Sequence, residues 1–420
     1  MTMTAANAIL SLRDLRRDRL PRLAAGLAAA AAASLPWSTS ATGILASLWL
    51  VTSLPTLDLA ALRREVLSAP GGLPVVLVGL AVAGLLWSDV SASERFYGIE
   101  PFLRLLMIPV LFAQFRRSDR GMWVGAAFLM SGTVLLALVW IMFYLGLDFG
   151  HGPGVPVKDY ITQSGVFTLC AFALAYIGFE QWTKHRRALA IAEIALALLF
   201  IASIFYVSTS RTTLVVIPVL LLLMGLQRAS WRATAACVLA GLMVLTVMWT
   251  TSPYVRLRAT SVADEIAESE LRETSSGARL EFWKNSLVIL REAPILGHGI
   301  GTITETFRRH ADPKSTATAT NPHNQIFAVG IQLGVIGVAA LLAMWTVHWQ
   351  LFRRPGLAAW IGLIAVTQNI VGSLFNSHLM DFTQSWIYVF AVAVFGGVVL
   401  HDARAVKPED PPAHSQVSNR

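Results

Sequence analysis

The chain has 420 residues, 55% hydrophobic and only 14% charged, whereas a soluble domain carries about 25% charged residues. Together with a mean hydropathy of +0.60, this excludes an ordinary soluble domain and makes lipid the natural solvent for much of the surface. The net charge of +8 sits in short clusters between apolar runs. With no zinc-finger, helix-turn-helix or RNA-binding motif, it reads as membrane topology, and nucleic acid is not an expected partner.

A basic N-terminal segment, 1–20, leads to a first apolar run at 23–36. So many apolar runs follow that a retained span fits better than a cleaved leader. A span needs roughly 20 largely apolar residues. Twelve segments are expected to cross: 21–38, 41–57, 72–88, 99–114, 121–147, 163–180, 186–204, 209–226, 231–249, 323–349, 357–374 and 380–399. They are too long and too evenly apolar for barrel strands, so an all-α polytopic bundle is expected. The domains follow: a cytoplasmic segment 1–20, nine spans in 21–249, a periplasmic loop domain 250–322, three spans in 323–399, and a polar, Pro-rich tail 400–420, expected to be disordered and cytoplasmic.

With the N-terminus in the cytoplasm, cytoplasmic segments hold 20 of the 33 Lys and Arg residues, including Arg63, Arg64, Arg116, Arg117, Arg120, Arg353 and Arg354. The short outer loops hold only Arg95, Lys158 and the boundary residue Arg211. That asymmetry places both termini inside, and 250–322 outside. No internal repeat supports a transporter built from inverted halves. Cys170 and Cys237 both lie in apolar runs, so no disulfide framework is expected. Small residues in the spans suit close helix contacts within one chain or in a weak homo-oligomer.

The outer segment is longer than a connector needs. Its part 260–274 reads as an exposed polar helix whose carboxylates Asp264, Glu265, Glu268, Glu270 and Glu273 face water. Residues 277–291 put Leu280, Trp283, Leu287 and Leu290 at helical spacing. Ser275 or Ser276 suits its cap, and Pro294 ends it. The run Gly297-His298-Gly299-Ile300-Gly301 reads as a sharp turn, since no Gly-Lys-Ser/Thr follows it.

Three groups at the outer level carry possible chemistry. Arg211 stands among hydroxyls in Ser208-Thr209-Ser210-Arg211-Thr212-Thr213, where it either snorkels to headgroups or faces the bundle interior. Arg279 is either a surface residue of the outer helix or a phosphate fork. His323, behind Pro322, is either a polar cap or a base, its reference pKa of about 6.5 suiting proton transfer. Two guanidiniums for phosphate oxygens and one imidazole for a hydroxyl would serve glycosyl or phosphoryl transfer. Asn324 is a candidate to orient His323. Arg95, Lys158, His378 and Asp381 are candidate substrate contacts beside Gln384. Arg104 needs a partner inside its span, and Glu100 stands one turn earlier. No Asp-x-Asp pair or His-Glu-x-x-His motif points to a metal, and no cofactor is expected.

In these residues the chain resembles the O-antigen ligase and polymerase superfamily. The resemblance rests on Trp87-Ser88, Ser210-Arg211-Thr212, Gly277-Ala278-Arg279-Leu280 with Trp283, Pro294-x-x-Gly297-x-Gly299, and Pro322-His323-Asn324 followed by Gly334 and Gly337. It runs from about residue 70 to 395. It implies an inner-membrane enzyme similar to GT-C-like, metal-independent glycosyltransferases, with its site facing the periplasm. The donor would be an O-antigen chain on undecaprenyl pyrophosphate, the acceptor a lipid A–core sugar, and membrane lipids the surroundings. Arg211 and Arg279 would bind pyrophosphate, and His323 would activate the acceptor hydroxyl for inversion. Some relatives carry Ser-Gly-Arg where this chain has Gly-Ala-Arg, so the motif does not separate branches. Polymerases and protein O-oligosaccharyltransferases would use the same clamp; the late, modest outer segment favours the ligase. A lipid-linked sugar transporter would want polar groups at mid-membrane, whereas here they cluster at one face.

Overall fold

The computed structural model describes residues 19–207, 210–227, 231–253, 256, 275–310 and 320–405. In chain order its helices are α1 (Leu20–Ser34), α2 (Thr39–Ser53), α3 (Leu59–Leu67), α4 (Ala69–Gly84), α5 (Ala92–Leu103), α6 (Met107–Phe115), α7 (Gly121–Leu145), α8 (Tyr160–Thr183) and α9 (Arg187–Tyr206). Then come α10 (Arg211–Gln227), α11 (Trp231–Thr251), α12 (Ser275–Glu292), α13 (Ile303–His310), α14 (Gln325–Leu351), α15 (Leu357–Ser373), α16 (Phe382–Phe390) and α17 (Gly396–Ala405). No strand occurs among the described residues.

Each of the twelve expected segments is occupied by helix. Among the described residues, seven helices are long and apolar enough to cross a membrane, or eight if the bent pair Thr39–Thr56 and Leu59–Leu67 is one span. Four more, α1, α4, α10 and α15, are apolar but shorter. The protein is therefore a polytopic helical membrane protein. The 116° bend before α3 was not foreseen. Asp58 starts that helix by accepting the Ala60 and Ala61 N–H groups. Buried Glu65 then pins it, accepting from Arg64 at 2.8 Å and Arg116 at 3.1 Å. The polar stretch 260–274 with its five carboxylates lies outside the described residues, as do 1–18 and the tail from 406.

Close packing of small residues builds the interior. Ala24, Ala25, Ala28, Ala31 and Ala32 bury one face of α1 against α2 and α7, and the small side chains let the backbones approach. Some polar groups buried between helices tie them together. His348 donates from Nε2 to the Pro70 carbonyl at 2.7 Å and accepts at Nδ1 from the Tyr388 hydroxyl at 2.6 Å, tying α14 to α4 and α16. Cys170 and Cys237 are not joined in a disulfide.

The outer helix α12 packs differently from its expected stripe. Leu280 and Leu287 are exposed, while Ile289 is buried in a small cluster with Phe307 and Ile331 that Phe282 and Leu290 complete. The helix meets the bundle from one side, so only the face carrying Phe282, Ser286 and Ile289 is covered.

The glycine run is more than a turn. α14 breaks at Gly334, whose φ of 62° and ψ of −162° suit only glycine. The break frees the carbonyls of Ile331 and Gln332. His298 N–H donates to the first at 2.8 Å and Gly299 N–H to the second at 3.0 Å, while Val335 N–H donates to Pro294 at 2.8 Å. Gly297 and Gly299 have φ of 67° and 95°. A Cβ at Gly297 would lie 2.5 Å from the Gln332 backbone. On the far side, Ile300 N–H donates to Gly84 at 3.2 Å and the Ser88 hydroxyl to Ile300 at 2.6 Å. Broken backbone within a span is tolerated where protein groups satisfy it, and here they do.

Candidate functional site

The turn between α15 and α16, residues 374–381, gathers most of the polar residues singled out above. Asn324 donates from Nδ2 to the Leu374 carbonyl at 3.1 Å. Ser377 donates its hydroxyl to Asn321 Oδ1 at 2.7 Å, and Leu379 N–H donates to Gln325 Oε1 at 2.9 Å. The start of α14 is thus sewn to this turn on both sides of His323.

His323 has φ of 51°, a left-handed backbone that few residues other than glycine adopt. Its N–H donates to Asn321 Oδ1 at 2.9 Å, which helps hold that conformation. Its ring lies 6.2 Å, centroid to centroid, from Phe282 at an interplanar angle of 21°, so the outer helix α12 supplies one wall. Nδ1 stands 3.3 Å from Asn376 Oδ1. An amide oxygen only accepts, so the proton of this bond is on Nδ1, and Nε2 keeps its lone pair. Burial holds the imidazole below its ordinary pKa of 6.5; the Asn376 bond opposes this, and the Arg279 charge adds to it. Arg279 is thereby close enough to His323 to act on it electrostatically.

Arg211 is the first residue of α10. Its neighbours Ser210, Thr212 and Thr213 line a small recess with His378, Gln368 and Gln384. His378 is 3% exposed, and neither ring nitrogen has a hydrogen-bond partner among the described residues. Burial lowers its pKa to about 4, which keeps it neutral. The start of α10 thus shares this recess with His378 of the same turn.

Other expected contacts are engaged in structure. Lys158 donates from Nζ to the Leu35 carbonyl at 2.5 Å and the Thr383 hydroxyl at 2.8 Å, and burial lowers its pKa to about 8. Arg104 pairs with Glu100 through two bonds of 3.0 and 2.5 Å and donates to the Asp381 carbonyl at 3.2 Å. Glu100 is the partner expected for it. Asp381 caps α16 by accepting the Gln384 N–H at 2.8 Å, and burial raises its pKa. Arg95 donates to the carbonyls of Val90, Leu85 and Ser88, which makes it a clamp on the α4–α5 turn. Asn324 does not orient the His323 ring as expected. It caps α14, accepting the Ile326 and Phe327 N–H groups, and Asn376 takes the ring. Sequence reasoning missed Asn321, Asn376, Ser377 and Phe282. The polar triplet Asn376-Ser377-His378 between two apolar spans was the available signal for two of them.

Among the described residues, no three His, Cys, Asp or Glu side chains gather as metal ligands would. Residues 194–342 match the family model described as O-antigen ligase. That stretch of the chain is similar to the O-antigen ligase family. The matched stretch contains Arg211, Arg279 and His323. An uncharacterized protein of Haemophilus influenzae is 35% identical over 79 residues, 18% of this chain. The chain spans 20% of that relative's length.

Proposed function

We propose that the protein is an O-antigen ligase of the bacterial inner membrane, transferring polysaccharide from undecaprenyl pyrophosphate to a lipid A–core sugar, with its site facing the periplasm. The observation carrying this reading is the His323 ring, fixed by Asn376 and Phe282 with Nε2 left as a proton acceptor and Arg279 close by. His323 Nε2 takes the acceptor hydroxyl's proton as the oxygen forms a bond to the anomeric carbon. The carbon–oxygen bond to pyrophosphate breaks on the opposite face, inverting the centre. The electron pair leaves on undecaprenyl pyrophosphate, whose charge Arg211 and Arg279 offset. No metal is required in this scheme, the guanidiniums supplying the positive charge.

Purified protein with lipid-linked donor and lipid A–core tests the reading. Transfer should persist in EDTA and fail when a second lipid-linked chain replaces lipid A–core; preferred use of that chain would make the protein a polymerase. Arg211→Ala and Arg279→Ala should each raise the donor KM or lower kcat/KM by about 10- to 100-fold, in the range of a lost charge-assisted bond. Unchanged donor kinetics in both would remove the pyrophosphate assignment.

Proton abstraction needs a neutral ring. Activity is therefore expected to rise with pH along an acidic limb centred below the ordinary histidine value of 6.5. Asn376→Asp puts a carboxylate beside Nδ1, favours the charged ring, and should move that limb upward. The pH profile of kcat/KM for the two proteins checks this; coincident limbs would detach the titration from His323.

A further inference from the structure

A groove of about 460 Å³ opens beside this site, between the start of α5, the segment 301–304 and the turn at 377–380. Glu94, Tyr97, Thr304, Asn321, Gln332 and Ser377 are among its lining residues. The lining holds one carboxylate and no Lys, Arg or His. A pyrophosphate would find no cation in that lining, whereas hydroxyls would find amide, hydroxyl and carboxylate partners.

The walls are set before any ligand arrives. Glu94 is fixed by a capping box with Ser91, accepting its N–H at 2.9 Å. Gln332 Oε1 accepts the Gly301 N–H at 2.8 Å. Asn321 is held by Ser377 and by the His323 backbone. Fixed polar groups of this kind give orientation at little entropic cost. At the rim the Tyr97 ring is 75% exposed, and Phe96 beside it is 63% exposed. The two rings meet edge to face with centroids 6.1 Å apart. An exposed ring bordering polar groups matches a pyranose, which has apolar C–H faces and a rim of hydroxyls.

We infer that this groove is a sugar subsite for the acceptor, seating the unit that carries the attacking hydroxyl, with Tyr97 as its stacking platform. The inference rests on the transfer reaction proposed above. Two wall residues connect directly to the base: Asn321 accepts the His323 N–H, and Ser377 follows Asn376, the partner of Nδ1. A sugar held there is presented to His323. Arg211 and Arg279 stand elsewhere, at the start of α10 and in the first turns of α12, and serve the donor. Charge thus separates the two substrates before reaction.

The test uses full-length protein in nanodiscs and varies donor and acceptor separately. Tyr97→Ala should raise the acceptor KM about tenfold, with donor KM and kcat nearly unchanged, as for loss of a ground-state contact. Tyr97→Phe should behave as wild type, because it keeps the ring. Thr304→Trp, which fills the groove, should raise the acceptor KM by at least as much. Saturation-transfer NMR with delipidated core oligosaccharide should lose its signal in Tyr97→Ala. An unchanged acceptor KM in Tyr97→Ala and Thr304→Trp overturns the subsite, as does a rise in donor KM instead. Wild-type protein in the same assay reports on the ligase reading alone: its failure to glycosylate lipid A–core overturns that reading, while the binding signal still reports on the groove.

Discussion

Replacing His323 with Asn is expected to lower transfer by about 10²- to 10⁴-fold, the usual contribution of a positioned general base, while leaving the apparent unfolding temperature close to wild type. Asn is the informative replacement because the backbone at 323 is left-handed, with φ of 51°, and Asn tolerates that region better than other side chains that lack a base. The loss should appear in kcat, with little effect on KM for either substrate, because the proton moves only as the new bond forms. Steady-state kinetics beside a thermal melt in detergent would read both quantities. Retained turnover in a folded His323→Asn protein would remove the base from this position.

The second large effect is structural. Gly334→Ala should destabilise the protein severely, since the backbone conformation there costs a non-glycine residue about 1–3 kcal/mol. A Cβ would also lie 2.2 Å from the Ile295 carbonyl oxygen, and backbone has little room to yield. The seat of α12 on α14 would be disturbed with it, so Phe282 would no longer fix the His323 ring and activity should fall too. Gly26→Ala is the matching control: no atom lies within 4 Å of its added Cβ, and alanine is the better helix former by about 1 kcal/mol. A Gly334→Ala protein melting with wild type would show the break to be incidental.

The helical segments were legible because length and apolarity are local properties, and all twelve hold helix. Span number was less so: α1, α4, α10 and α15 are apolar but short, and hydropathy cannot say how a short helix sits in a bilayer. In the site, Glu100 was legible as the partner of Arg104 one turn away, but the partners of His323 were not. Asn376 reaches His323 across 53 positions, a pairing that no local pattern encodes. Arg95 illustrates the converse. An interfacial arginine reads the same whether it binds substrate or three backbone carbonyls, and here it binds carbonyls. The motifs behind the family resemblance divide in two. Ser88, Pro294, Gly297, Gly299 and Gly334 form the backbone joint, whereas His323 is held by the polar turn and Arg279 acts on it through its charge. A short motif does not declare which kind it is.

The break in α14 also fixes a depth. From Val335 to Leu351 the helix runs 17 residues, about 25 Å at about 1.5 Å per residue, against a hydrocarbon layer of about 30 Å. If Leu351 sits at one boundary of that layer and the helix stands upright, Gly334 lies roughly 5 Å beneath the other. The loop Gly297–Gly301 then dips below the lipid headgroups like a plug. A substrate carried on a polyprenyl anchor would need no lifting into the aqueous phase to meet the residues around its rim.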